Sequence, residues 1–107
     1  MEYQSMNLNI WEHLPNEIWE KVPKIYEKMD GWLGFGTGET NKGEEGIPYW
    51  FSFLEEEKHI CVSLEPSGLS FFAYMEKSEW EAWKEKIKRV ASEILDFEVI
   101  EPEDMTD

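Results

Sequence analysis

His59, Cys61, Ser63 and Glu65 occupy alternate positions of one short run. In an extended strand they would point to the same side. A base, a thiol, a hydroxyl and a carboxylate are the ingredients of acid–base and nucleophilic catalysis, and Tyr74 on a neighbouring run could add a phenol. The spacing argues against it. Residues two apart on a strand sit about 7 Å from each other, too far for a direct hydrogen bond unless the side chains fold together. A lone cysteine is more often an inert apolar side chain than a nucleophile. The expectation is therefore a chain that is not an enzyme and has no catalytic residue.

Metal and cofactor chemistry find no better footing. The two histidines, His13 and His59, are remote in sequence, and no paired His or Cys ligand spacing is present. Glu55, Glu56 and Glu57 form a charge run that reads as a solvated turn before it reads as a cation site. Gly34-Phe35-Gly36-Thr37-Gly38 looks superficially like a phosphate-cradling loop. It lacks the Lys-Ser/Thr ending, and Glu39, Glu44 and Glu45 would repel phosphate. No cofactor is expected.

The elements that must position these groups follow from periodicity. Asn7 to Glu12 alternate briefly, enough for a short strand or an ordered arm. Pro15 and Asn16 give a helix start, and Ile18, Trp19, Val22, Ile25, Tyr26 and Met29 recur at helical spacing, with Pro23 predicting a kink or split. Residues 31–46 hold six of the seven glycines and read as one long glycine-rich loop. Three strand-like runs follow, Tyr49 to Leu54, His59 to Glu65 and Leu69 to Met75, joined by short turns that make them antiparallel neighbours. The third run would leave an edge able to pair with a second copy, and oligomeric state stays open. Ser78 and Glu81 match a capping box, and Trp80, Trp83, Ile87, Val90, Ala91 and Ile94 make one apolar helical stripe. Phe97, Val99 and Ile100 are candidates for a short fourth strand. The prediction is an α+β fold: a three-stranded antiparallel meander, with that candidate fourth strand, and two helices packed on one face. The whole chain, 1–107, is expected to be a single domain, with 101–107 a disordered acidic tail.

Twenty-four acidic residues against ten basic ones give a formal charge of −14. Such a field repels nucleic-acid phosphates and anionic headgroups and attracts basic surfaces. Nucleic acid and membranes are thus disfavoured as partners and a basic protein is favoured. The single Cys61 excludes an intramolecular disulfide, and the first residues lack a basic segment followed by an apolar run, so a cytoplasmic location is expected.

Alternation turns Ile60, Val62, Leu64, Leu69, Phe71, Ala73 and Met75 toward the helices. The opposite sheet face then carries His59, Cys61, Ser63, Glu65, Ser70, Phe72 and Tyr74. The first run leaves its register open, because Trp50, Ser52, Leu54 and Tyr49, Phe51, Phe53 are both apolar sets. Aromatic rings amid polar groups are the composition of protein-docking surfaces. The run Ser63-Leu64-Glu65-Pro66-Ser67-Gly68-Leu69, then Met75, then Trp80 and Trp83 leading to Leu95-Asp96-Phe97-Glu98-Val99, resembles immunity proteins that accompany polymorphic or contact-dependent toxins. The resemblance covers residues 48–101. It implies a stoichiometric cytoplasmic inhibitor of a basic toxin such as a nuclease, and it carries no binding residues over. The residues expected to touch such a partner are Trp50, Phe72, Tyr74, Glu55, Glu56, Glu57 and Glu65. Trp80 and Trp83 are assigned to the core. The alternative is a small-ligand or regulatory domain, with the glycine loop as a lid over the aromatic face.

Overall fold

The computed structural model describes residues 1–102. Its elements run β1 (Glu2–Leu8), α1 (Asn16–Lys28), β2 (Trp32–Phe35), β3 (Pro48–Trp50), β4 (His59–Glu65), β5 (Gly68–Met75) and α2 (Lys77–Leu95). The class is α+β, and the strands form one antiparallel five-stranded sheet in the order β1-β5-β4-β3-β2. The expected meander is present as β3-β4-β5, and two further strands flank it. One, β2, lies inside the glycine-rich segment. The other, β1, begins before the alternation at Asn7 and pairs with β5 over seven residues without a break. The third run of the meander is consequently interior, and the sheet edges are β1 and β2.

Two-residue turns and close backbone approach explain the β1 edge. Glu65 pairs with Gly68 around Pro66-Ser67. Gly68 has φ +118, and a Cβ there would sit 2.3 Å from the Leu8 carbonyl oxygen. Only glycine lets β1 close on the hairpin at that point. Beside it, buried Ser70 donates its hydroxyl to Asn7 Oδ1 and ties the two strands through side chains.

The helices depart from expectation at their ends and at one proline. Helix α1 runs unbroken through Pro23, which lies on its exposed side and offers the Trp19 carbonyl no backbone donor. Helix α2 starts at Lys77, because β5 continues to Met75 and Glu76 alone makes the turn. Ser78 is then already inside the first turn, and the capping box does not form. At the other end Asp96 adopts the left-handed conformation and closes the helix through its N–H to the Ser92 carbonyl.

Residues 97–100 form no strand. They extend beside Asn9, whose amide donates to the Glu98 carbonyl at 3.0 Å and whose Oδ1 accepts from Ile100 N at 2.8 Å. Ser92 Oγ accepts from Val99 N at 2.8 Å and donates to the Lys88 carbonyl. Glu101 is anchored between Lys84 at 3.2 Å and Lys88 at 3.1 Å. The Lys88 ammonium is held above its ordinary pKa although burial opposes it, because its hydrogen bond and charge contact with Glu101 prevail. The tail expected over 101–107 lies, from residue 103 onward, outside the described residues.

One face of the sheet and the apolar stripes of both helices make a single core. At its centre is Trp50, fully buried, with the rings of Trp32 and Trp83 at 5.2 Å, Tyr26 at 5.3 Å and Phe71 at 6.0 Å. Its indole N–H donates to the Tyr26 carbonyl at 3.1 Å, so the buried donor is satisfied. Trp80 and Trp83 stack at 6.0 Å and are core residues as expected.

Candidate functional site

The site follows from strand register. Residues paired across antiparallel strands share a face, so the pairs Tyr3–Tyr74, Ser5–Phe72, Asn7–Ser70, Cys61–Phe72, Ser63–Ser70 and Tyr49–Cys61 assemble the face turned away from the helices. That is the side predicted for His59, Cys61, Ser63, Glu65, Ser70, Phe72 and Tyr74.

Half of this face is covered. The glycine-rich segment packs down on Tyr49, whose phenol oxygen accepts from Glu44 N at 3.0 Å, while the Phe53 ring lies 5.3 Å away. Gly43, with φ +76, makes the approach possible, since a Cβ there would fall 2.5 Å from the Tyr49 ring. The loop fills the β3 end of the face. It contributes nothing to the lining of the open end, so it is not placed as a lid.

The open half belongs to β1, β5 and β4. Tyr3 is 78% exposed and Phe72 44%, large fractions for such rings. Tyr3 rests against Tyr74 with centroids 4.7 Å apart. Between Tyr3, Ser5, Phe72, Cys61, His59 and Glu55 lies a depression of about 510 Å³.

The expected contact residues divide accordingly. Phe72 and Tyr74 are on the open face, and Glu65 is exposed at the far end of β4. Glu55, Glu56 and Glu57 are exposed in the connection before β4. Only Glu55 of these three reaches the depression. Glu57 is engaged locally, accepting from Ser52 Oγ at 2.7 Å. Trp50 is a correction: it pairs with Ile60, faces the helices and is inaccessible to any partner. Two residues the sequence reading did not single out, Tyr3 and Glu44, border the face. Tyr3 had a signal in the weak alternation of Tyr3, Ser5 and Asn7 against Gln4, Met6 and Leu8.

The chemistry-bearing side chains do not converge. His59 opens β4 and Glu65 closes it, six residues or about 20 Å apart along a strand. His59 is buried beside Tyr74, its Nδ1 bonded to the Glu57 carbonyl at 2.8 Å. Ser63 does reach Glu65, donating to Oε1 at 2.8 Å, because both side chains lean along the strand. Burial pushes the Cys61 thiol up to about 11, and the charges of Glu55 and Glu44 add to the shift. A thiol held that high stays almost wholly protonated at pH 8, which leaves little of the thiolate nucleophile. Removing the Glu55 charge lowers the pKa and enlarges the thiolate fraction. Glu55→Gln is therefore expected to speed labelling of Cys61 by iodoacetamide severalfold at pH 8. An unchanged rate would show that Glu55 exerts no field on the sheet face.

Charge is shared unevenly between the helices and the rest of the chain. The two helices hold eight of the ten bases and seven of the 24 acids, a balance of +1. Everything else holds 17 acids and two bases, and the five strands contain no Lys or Arg. Of the two remaining bases, Lys42 lies in the glycine-rich segment, while Lys58 turns to Glu79 of α2 and to the Phe51 ring. Among the described residues no group of three or more His, Cys, Asp or Glu could hold a metal ion, and no helix is long and apolar enough to cross a membrane. Comparison with protein-family models, curated proteins and solved structures gives no match.

Proposed function

We propose that this chain is a stoichiometric protein-binding inhibitor of the immunity type, docking the open face of its sheet on a basic toxin such as a nuclease. The observation that carries the reading is the union, on one accessible face, of exposed aromatic rings with the Glu55 carboxylate, on strands that carry no Lys or Arg. Tyr3, Phe72 and Tyr74 offer the apolar anchors, Glu55 borders them, and Glu56 and Glu65 are exposed farther out, beside Glu55 and at the far end of β4. Opposite charge steers such partners together at up to about 10⁸–10⁹ M⁻¹s⁻¹ at low salt, and desolvated aromatics then slow their separation. The α2 surface suits this role less well, since its lysines already meet Glu81, Glu85 and Glu101. A cytoplasmic site of action belongs to the same proposal.

The test is capture from the native source on the immobilised chain, eluted with a salt gradient and followed by an activity assay of the eluted protein. The expected result is one basic protein, released only at high salt, that forms a one-to-one complex and loses its toxic activity in it. An empty capture, or a captured protein whose activity is untouched, would sink the proposal.

A further inference from the structure

We infer that the depression between Tyr3, Phe72 and Glu55 receives one arginine side chain of the basic partner, a deepening that rests on the inhibitor reading above. Its lining is Tyr3, Gln4, Ser5, Glu55, His59, Cys61, Phe72 and Ala73, and Glu55 is the one carboxylate among them. Glu55 is exposed and has no hydrogen-bond or ion-pair partner among the described residues, so its carboxylate is open to an incoming cation; Glu56 is likewise unpaired but lies outside the lining.

The lining discriminates among cations. A guanidinium is flat, weakly hydrated and able to stack on an aromatic face while its fork engages a carboxylate. An ammonium offers a point charge and no plane. The rings of Tyr3 and Phe72 stand exposed on the first two strands of the open edge, and Tyr74 braces Tyr3 from beside it. Glu55 closes the opposite end beyond Cys61. An arginine entering from β1 therefore lays its apolar stem across the rings and carries its head toward Glu55. At about 510 Å³ the space holds the side chain together with bridging waters. Cys61 also lines the depression, where burial chiefly raises its thiol and the nearby charges of Glu55 and Glu44 add to the rise.

The experiment is a two-dimensional NMR titration of the full chain with N-acetyl-arginine amide and, separately, with its uncharged isostere N-acetyl-citrulline amide. Shifts are expected at Tyr3, Ser5, Glu55, Cys61 and Phe72, with citrulline binding at least about tenfold more weakly. Glu55→Gln, a change at an exposed position, should weaken arginine binding about tenfold and leave the rest of the spectrum in place. Shifts scattered elsewhere, equal binding of citrulline, or an indifferent Glu55→Gln variant would each overturn the inference. The two readings fail separately. A captured partner that binds Glu55→Gln normally and loses Phe72→Ala overturns the arginine site and keeps the inhibitor. Arginine amide seated at the depression, with no basic protein captured, overturns the inhibitor and keeps the site's chemistry.

Discussion

Trp50→Ala is expected to remove about 3–5 kcal/mol of folding stability, the range for deleting a large ring from a closed core. The side chain is wholly buried and touches rings from α1, β2, β5 and α2, so its loss opens a cavity where four elements meet. None of those neighbours can collapse inward freely, because Trp32 and Phe71 are held by strand pairing and Trp83 also packs on Trp80. The change also leaves the Tyr26 carbonyl without the indole donor. A domain of this size has about 5–15 kcal/mol in total, so the variant should melt about 15 °C or more below the parent, or fail to fold. Thermal unfolding by circular dichroism measures it. A drop below about 5 °C would mean that Trp50 is not the keystone its position indicates.

Trp50 also marks where sequence and structure part company. The run from Tyr49 to Leu54 is apolar at both parities, and alternation cannot choose a face when both faces fit. What chooses is the break after Trp50. Phe51 has φ +71, its N–H binds the Gly31 carbonyl, and the strand ends after three residues. That conformation depends on tertiary contact with Gly31, which no local pattern encodes. For the same reason β2 was illegible, being four residues long with a register shift beside Gly34. By contrast β4, β5, α1 and α2 were readable because each buries one side on a long, regular period. Phe72 and Tyr74 inherited that legibility. Tyr3 did not, since β1 owes its existence to seven cross-strand pairs with β5 and to the gap left by Gly68.

The charge pattern teaches a related lesson. Counted along the chain, the acids spread over both halves. Counted by element, the helices are nearly neutral and the excess lies outside them, mostly in connections. Interleaved Lys and Glu on α2 satisfy each other at i,i+3 spacing, as at Lys88 and Glu85. The strands themselves hold only Glu2 and Glu65 and no Lys or Arg, and further acids lie in connections such as Glu39 to Glu45 and Glu55 to Glu57. No base on a strand therefore offsets Glu55 where it borders the exposed rings.

If that face docks a partner, a double change of Tyr3→Ala and Phe72→Ala should weaken the complex about 100-fold or more, since central aromatic anchors each contribute about 2 kcal/mol or above. The same change should move folding stability by no more than about 1 kcal/mol, because both rings point to solvent and neither belongs to the core. Reversing charge at the rim acts differently. Glu56→Lys, exposed and outside the depression, should slow association severalfold and flatten its salt dependence while dissociation stays nearly constant. Surface plasmon resonance at several salt concentrations, with a melting curve for each variant, separates the two behaviours. Anchors that act through dissociation and a rim that acts through association would place the interface on this face. Equal losses from Tyr3, Phe72 and a helix control such as Arg89→Ala would instead spread binding over the whole acidic surface, and the open face would lose its claim to be the site.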